Sequence, residues 1–307
     1  MPNIRDFPCR APGASASAAN PALKMSDAGT DAEIQRRAAE IIKACPQWYH
    51  SIELAPGVIT PGVAPLDVWN GTLRKLHLPD LRGKSVLDIG AYDGFFSFAA
   101  ERLGAARVVA LDEYVWATDM VAYMSDWRKA RASGTAVPAP RYSPHWRPAE
   151  LPGKRPFDAA REILGSGVES VVGNFVTLDA TNLGKFDVVL FLGILYHMED
   201  PLAAIRRVAE FLAPGGFLGI ETEAVDVPGA PDAAFFEFFP GNELNNDAAN
   251  WWAPNMKALE GLTRAAGLQN FSVGEGPPPL SRWAQFRTKI GQGRTRFRAV
   301  ASARAPA

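Results

Sequence analysis

Acidic residues and glycines near residue 90 have the types and spacing that hold a nucleoside-like cofactor. The apolar run Ser85–Ile89 contains Asp88 and is followed by Gly90, a short turn and Gly94. A second apolar run ends in Asp112, twenty-four residues after Asp88. Glycine lets backbone approach a ligand, a helix start offers free N–H groups, and an acid that closes the next strand accepts ribose hydroxyls. This pattern predicts a nucleoside-binding turn between two strands.

The side chains in the turn indicate which nucleoside cofactor fits. A dinucleotide fingerprint that begins at Gly90 requires glycines at 92 and 95, where this chain has Tyr92 and Phe95. Both side chains crowd the place where a pyrophosphate would lie. The sequence therefore favours a cofactor without phosphates.

The region from Asp88 to Asp112 resembles the class I S-adenosylmethionine methyltransferases. Residues 186–197 resemble that family's fourth strand with its active-site end, residues 212–221 resemble the loop and strand that follow, and the likeness covers roughly residues 80–303. Three motifs, Gly-Ala-Tyr-Asp-Gly-Phe-Phe, Leu-Tyr-His and Trp-Trp-Ala-Pro-Asn, are similar to the branch containing the bacterial tRNA wobble-uridine carboxymethyltransferase. The resemblance implies S-adenosylmethionine as the cofactor and methyl transfer as the reaction.

The resemblance assigns roles to residues around the cofactor. It implies that Asp88 organises the turn around the methionine part and that Asp112 holds the ribose. Asn174 and Phe175 follow the third predicted strand, where the family contacts adenine, and Tyr92 either covers the cofactor or packs in the core. The predicted cofactor-binding residues are Asp88, Gly90, Ala91, Tyr92, Gly94, Asp112, Asn174, Phe175 and Gly193.

Two residues at the end of the fourth predicted strand are the candidates for catalysis. Methyl transfer to oxygen, nitrogen or sulfur is an in-line displacement, in which the protein aligns the acceptor and removes its proton where it carries one. Imidazole titrates near neutrality, so His197 is the predicted base, and Tyr196 is predicted to orient the acceptor. The alternative is that His197 only ties the loop before Asp200.

The predicted substrate-binding residues come from three separate segments. Glu221 and Glu223 end the fifth strand on the same side, so one is expected to face the pocket, although surface ion pairs explain them equally well. Adjacent tryptophans form substrate walls or pack a lid, and the asparagine after them can also cap a helix. The set comprises His50, Glu221, Trp251, Trp252 and Asn255.

Hydrophobic periodicity predicts the elements that position these residues. Thr30 and Glu33 have capping-box spacing for a helix ending near Cys45, and residues 48–62 read as a hairpin. Within residues 113–156, an insertion, aromatic spacing predicts a helix from Trp116 to Trp127. Further predicted helices cover 66–76, 95–103, 157–165, 201–212 and 256–266, and further strands 107–112, 168–174, 186–192, 216–222, 269–274 and 295–303.

Alternating strands and helices predict an α/β fold with a mostly parallel sheet and ligands at its carboxyl edge. The resemblance adds a doubly wound, seven-stranded order with an antiparallel last strand. We expect a disordered extension at 1–29, an N-terminal helix–hairpin cap at 30–79, and a methyltransferase domain at 80–307 that contains the insertion at about 113–156.

Bulk composition bounds the class of protein. The chain has 307 residues, 47% of them hydrophobic, and a formal net charge of −1, which gives no global attraction to nucleic acid. Cys9 and Cys45 predict neither a disulfide framework nor a metal site. The longest apolar run, 188–196, is too short to span a membrane, and the N-terminus lacks an apolar signal core. These features favour a cytoplasmic protein.

The sequence favours transfer of methyl to an oxygen, nitrogen or sulfur atom of a small molecule, with basic residues in the insertion and tail suggesting an anionic acceptor. The first alternative is an RNA-modifying methyl- or carboxymethyltransferase, and the second is a non-catalytic cofactor-binding protein. Residues 48–62 contain no Lys or Arg to hold a carboxylated cofactor, which favours ordinary S-adenosylmethionine, although Arg287 could supply that charge.

Overall fold

The computed structural model describes residues 30–45, 47–135, 138–227, 232–245, 247, 249–279 and 294–307. The predicted disordered extension at 1–29 and Arg287 lie outside the described residues. The helices, in chain order, are α1 Asp31–Ala44, α2 Leu66–Leu76, α3 Phe95–Arg102, α4 Met120–Ser133, α5 Arg155–Ile163, α6 Pro201–Ala209 and α7 Met256–Ala265. The strands are β1 Glu53–Ala55, β2 Val58–Ile59, β3 Ser85–Ile89, β4 Arg107–Asp112, β5 Glu169–Val172, β6 Phe186–Leu192, β7 Leu212–Asp226, β8 Phe236–Phe238, β9 Trp252–Pro254, β10 Gln269–Glu275 and β11 Thr295–Arg304.

A seven-stranded sheet in the order β10-β11-β7-β6-β3-β4-β5 forms the centre of the fold. Strands β3, β4, β5, β6 and β7 pair in parallel, whereas β11 is antiparallel to both β7 and β10. Val86, Leu87 and Ile89 are all buried, because helices cover both faces of the sheet. The predicted doubly wound sheet with its antiparallel last strand is confirmed.

The N-terminal cap consists of α1, the β1–β2 hairpin and α2. The helix begins after Thr30 as predicted, but the Thr30 side chain makes no capping hydrogen bond, so the predicted capping box is wrong. The Glu33 N–H instead donates to the Thr30 carbonyl. Trp48, Ile52 and Leu54 bury the cap in the same core cluster as β3 and α3, so it is packed against the sheet domain.

The insertion differs from its prediction at the start of its helix. Helix α4 begins at Met120, where the Asp119 carboxylate accepts a hydrogen bond from the Ala122 N–H. Trp116 therefore lies in the turn before the helix, fully buried, and its Nε1 donates to the Tyr92 carbonyl at 2.6 Å. The prediction that Trp116 belongs to the helix is wrong, because the indole packs against the turn after β3. We call this turn, residues 90–94, the cofactor turn.

Two β structures near the carboxyl edge of the sheet were not predicted from the sequence. Strand β7 extends to Asp226 because β11 pairs with it continuously from Phe217 to Asp226. Residues 236–238 and 252–254, where the sequence predicted a loop, form the antiparallel pair β8–β9. Among the described residues, no helix is both long and apolar enough to cross a membrane.

Candidate active site

The turn after β3 contains two glycines that other residues could not replace. Gly90 has φ +77° and its N–H donates to the Leu111 carbonyl at 2.7 Å. A Cβ at Gly90 would lie 2.2 Å from Cδ1 of Ile194. Gly94 has φ +89°, and its Cβ would lie 2.6 Å from the Phe98 ring. Both positions therefore require glycine for conformation and for packing.

Tyr92 adopts a left-handed conformation between these glycines, with φ +54°. Its N–H donates to Asp112 at 3.0 Å, its carbonyl accepts from the Trp116 indole, and its ring stacks on Tyr49 with centroids 4.8 Å apart. Left-handed backbone is costly for a bulky residue, so these contacts hold it in place. Tyr92 places an aromatic wall on the turn and links it to the cap.

Asp88 and Asp112 are buried at neighbouring strand ends. Asp88 accepts from the Ser97 hydroxyl at 2.6 Å, which ties β3 to α3. Asp112 accepts from the N–H groups of Tyr92 and Val115, both at 3.0 Å. Each Asp112 oxygen can accept a further bond, so the carboxylate fits ribose hydroxyls. Burial raises the pKa of Asp88 and of Asp112 to about 6 in each case.

Asp93 joins the cap to the cofactor turn, a role that the sequence prediction missed. Its fully buried carboxylate accepts from the N–H groups of Tyr49 and His50, both at 2.8 Å, and from His50 Nδ1. The imidazole packs against Trp69 and Phe95, with ring centroids 4.6 and 5.6 Å away. His50 thus holds the cap in place, and its predicted acceptor contact stays a prediction.

The residues predicted to contact adenine follow β5. The Asn174 Oδ1 accepts from the Val176 N–H at 3.0 Å, which fixes the turn. Phe175 is buried against Phe191, and its carbonyl accepts from Arg207 Nε at 2.8 Å. Because the Phe175 ring belongs to the core, the partly exposed Asn174 is the better candidate for an adenine contact.

Tyr196 and His197 lie in a short 3₁₀ turn after β6. The turn covers Leu195–His197 and is preceded by Gly193, whose N–H donates to the Glu221 carbonyl at 2.9 Å. His197 Nδ1 lies 2.7 Å from the Ala249 carbonyl, which can only accept, so Nδ1 carries the hydrogen and Nε2 has a lone pair. Burial lowers the pKa of His197. His197 thus ties a loop, as one of the two alternatives holds, and its role as the base stays a prediction.

Glu221 and Glu223 project to the same side of β7 and share a partner from β11. Arg298 Nη1 lies 3.0 Å from Glu221, and Arg298 Nε lies 2.9 Å from Glu223. The Arg298 guanidinium also lies 5.1 Å from the centre of the Tyr196 ring. Asn245 donates to Glu223 at 2.6 Å. We call Glu221, Glu223 and Arg298 the Glu–Arg–Glu cluster; the sequence prediction missed its arginine.

The tryptophans and Asn255 lie in and beside β9. The Trp251 N–H donates to the Tyr196 carbonyl at 2.8 Å, and the Trp252 ring packs 4.8 Å from Phe238. Asn255 Oδ1 accepts from the N–H groups of Ala258 and Phe235, and its Nδ2 donates to the Ala233 carbonyl. These bonds use both acceptor positions and one of the two donors of the amide, which favours the capping role of Asn255 over its predicted substrate contact.

Basic residues of the insertion lie beside acids. Lys129 pairs with Asp126 at 3.1 Å, and Arg147 pairs with Glu150 at 2.8 Å as well as with Asp119. The described residues include no group of three or more His, Cys, Asp or Glu side chains that could hold a metal ion. Lys129 and Arg147 thus form surface ion pairs, whereas the sequence suggested that the basic residues attract an anionic acceptor.

A family model described as a methyltransferase domain matches residues 68–273. The chain belongs to this methyltransferase family. The match spans the sheet from before β3 to β10 and includes the acids and glycines of the cofactor turn. The comparisons confirm the predicted family and type of enzyme, and they support the predicted cofactor.

Curated relatives are distant and longer. The chain is 22% identical over 197 residues to a tRNA U34 carboxymethyltransferase of Campylobacter curvus, covering 64% of this chain and 52% of the relative. It is 27% identical over 196 residues to the Dichelobacter nodosus protein of the same name, covering 62% of this chain and 49% of the relative. The chain thus spans about half the length of the curated relatives it matches.

Solved structures share the fold. The N-terminal domain of EvdMO1, crystallised in the presence of SAH and D-fucose, aligns with a TM-score of 0.55 and 19% identity, covering 90% of this chain and 99% of that one. The same domain with SAH bound aligns with a TM-score of 0.55 and 17% identity. At this level of identity the likeness establishes the fold, in agreement with the predicted class.

Proposed function

We propose that this chain transfers a methyl group from S-adenosylmethionine to an oxygen, nitrogen or sulfur atom of a small-molecule acceptor in the cytoplasm. The observation that carries the proposal is the position of Tyr49. Its ring stacks on Tyr92 of the cofactor turn, and burial raises the pKa of Tyr49, on which the charges of Arg298 and Glu221 also act. The cap thus covers the cofactor turn with an aromatic side chain, which favours a small acceptor.

The residues of the cofactor turn fit S-adenosylmethionine. Asp112 has free lone pairs for ribose hydroxyls, and Gly90 brings backbone close to the ligand. Tyr92 excludes a pyrophosphate, which this cofactor lacks. Buried acids such as Asp88 stabilise a positively charged ligand. When bound, the sulfonium supplies an activated methyl group.

The acceptor side of the site is equipped to align a nucleophile and remove a proton. As the bond between acceptor and methyl forms, the bond between sulfur and methyl breaks, and S-adenosylhomocysteine leaves. We assign the acceptor's proton to His197 Nε2, the nitrogen that the Ala249 contact leaves with a lone pair. Tyr196 lies next to it and positions the acceptor, and the Trp251 N–H holds the Tyr196 carbonyl in place.

A second candidate function is RNA modification, favoured by the relatives named tRNA U34 carboxymethyltransferase. Ion pairing within the insertion weighs against it, because a lysine or arginine side chain that pairs with an acid attracts RNA phosphates poorly. A carboxylated cofactor is also disfavoured. Residues 48–62 contain no Lys or Arg, and the Arg298 guanidinium near Tyr196 already pairs with two glutamates.

Methyl-labelled S-adenosylmethionine separates the two candidates. Wild-type protein is incubated with a small-molecule extract and, separately, with total tRNA, and label is followed in each. We expect label in the small molecules and none in tRNA, with Asp112→Ala losing transfer because it loses the cofactor. Label in tRNA alone would establish the RNA-modifying function, and no label in either would refute methyl transfer.

A further inference from the structure

In the Glu–Arg–Glu cluster, the arginine pairs with both glutamates. Both oxygens of Glu221 lie near Arg298 Nη1, at 3.0 and 3.2 Å, and Glu223 takes Arg298 Nε at 2.9 Å. The Glu221 and Glu223 side chains are only 14% and 8% exposed. Two carboxylates and one guanidinium leave the cluster with a formal charge of −1.

The cluster faces the same turn as the candidate catalytic residues. A Cβ built on Gly193 would lie 3.7 Å from Oε2 of Glu221 and 3.5 Å from the Tyr196 hydroxyl. Gly193 comes two residues before the turn that contains His197, so Glu221 lies beside the proposed meeting point of acceptor and base.

Charge balance decides which acceptor this arrangement accommodates. An anion that approached Arg298 would lie beside both glutamates, and the net negative charge of the cluster opposes its binding. A hydroxyl or ammonium donor finds free lone pairs on Glu221, since a carboxylate has about four acceptor positions. The buried Asp88 and Asp112 add further negative potential at this edge.

We propose that the Glu–Arg–Glu cluster selects a neutral or cationic acceptor that presents hydroxyl or amine donors, and that it rejects anionic acceptors. This inference rests on the proposed function and names its class of substrate. It replaces the anionic acceptor suggested by the basic residues of the insertion. Glu221 accepts the acceptor's donor group, and Arg298 holds both glutamates in position.

The first experiment sorts acceptors by charge. A small-molecule extract is divided by ion exchange into cationic, neutral and anionic fractions, and each is incubated with wild-type protein and methyl-labelled S-adenosylmethionine. Label in the cationic or neutral fraction supports the inference. Label concentrated in the anionic fraction overturns it while leaving small-molecule methyl transfer intact. Label in tRNA alone, or nowhere, refutes the proposed function and this inference with it.

The second experiment measures anion binding without using catalysis. Inorganic phosphate is titrated by calorimetry into wild-type protein loaded with S-adenosylhomocysteine, and into Glu221→Gln and the double variant Glu221→Gln with Glu223→Gln. We expect no saturable binding by the wild type over the titrated range, and saturable binding by the double variant with an affinity at least tenfold above the wild-type limit, because Arg298 loses both carboxylates. Wild-type binding as tight as that of the variants would overturn the inference.

A matched control removes a carboxylate elsewhere on the same sheet. Glu275 on β10 pairs with Lys75 at 2.7 Å and is more exposed than Glu221. Glu275→Gln should bind phosphate no better than the wild type. Retained cofactor binding shows that each variant is folded. If Glu275→Gln gained as much phosphate affinity as the double variant, the gain would reflect general surface charge and the inference would fail.

Discussion

Burial gives Asp88, near the end of β3, an unusual response to pH. In the unfolded chain an aspartate titrates near pH 3.9, whereas burial raises the pKa of folded Asp88 to about 6. The folded protein therefore binds more protons than the unfolded chain between these values. Asp88 thus contributes stability that is present below about pH 4 and is lost as pH rises through about 6.

Asp88→Asn should remove this pH dependence. The stability of the variant relative to the wild type should increase by about 2 kcal/mol between pH 4 and pH 7, since each pKa unit corresponds to about 1.4 kcal/mol. Urea unfolding of the protein without cofactor at both values measures it. Asp187→Asn is the control with opposite sign, because hydrogen bonds from Ser85 lower the pKa of Asp187. Parallel trends in the two variants would contradict this account.

His197 determines the pH dependence of catalysis if the acceptor carries a proton. His197→Ala should lower kcat by about 10²–10⁴-fold with little change in cofactor affinity. Because burial lowers its pKa, the wild-type rate should rise to a plateau at a pH below the ordinary histidine value of about 6.5. Steady-state kinetics from pH 5 to 8 measure this. A midpoint above 7, or full activity of the variant, would exclude His197 as the base.

Among the elements, the N-terminal cap is joined to the cofactor turn by one buried carboxylate in addition to its apolar packing. Asp93 accepts two backbone N–H groups of the cap and the imidazole of His50, without exposure to water. Buried hydrogen bonds of a charged group are the strong kind. The cap and the turn should therefore move as one unit, and the Tyr49 ring should remain stacked on the Tyr92 ring.

Asp93→Ala should detach the cap. Loss of the carboxylate leaves buried donors unpaired, which costs about 3–5 kcal/mol. Hydrogen exchange should increase across residues 47–62 more than across β6, and thermal stability should fall. Asp80→Ala, which breaks an exposed pair with Arg82, is the control and should leave both unchanged. Equal protection of the cap in Asp93→Ala and wild type would show that apolar packing alone attaches it.

How well each element could be predicted depended on whether its determinants are local. Strands β3 and β6 carry continuous apolar runs, and Asp200 and Asn255 cap the following helices as their sequence positions indicate. The Arg298 contact with Glu221 spans 77 positions, and that of His50 with Asp93 spans 43. Such pairs arise only from strand order and cap packing. Periodicity within a segment therefore could not reveal them.

At the scale of the molecule, cofactor binding should couple to unfolding. S-adenosylhomocysteine at one hundred times its dissociation constant should stabilise the protein by about 2.7 kcal/mol, which raises Tm by roughly 5 °C or more. NAD should produce no shift, because the chain has Tyr92 and Phe95 where a dinucleotide fingerprint requires glycines. Scanning calorimetry measures the Tm shift with each ligand. Asp112→Ala is the matched variant, in which S-adenosylhomocysteine should raise Tm less. Stabilisation by NAD alone would reject the assigned class of cofactor.

The position of β11 in the sheet has a consequence for biosynthesis. This strand is the last of the seven along the chain, yet it lies between β7 and β10 and contributes Arg298 to the acceptor site. On the ribosome, β3, β4 and the turn between them can form early, whereas Glu221 has no partner until β11 emerges. A nascent chain could therefore recognise cofactor before it can recognise acceptor. Competence for methyl transfer would arise only when translation of this domain is nearly complete.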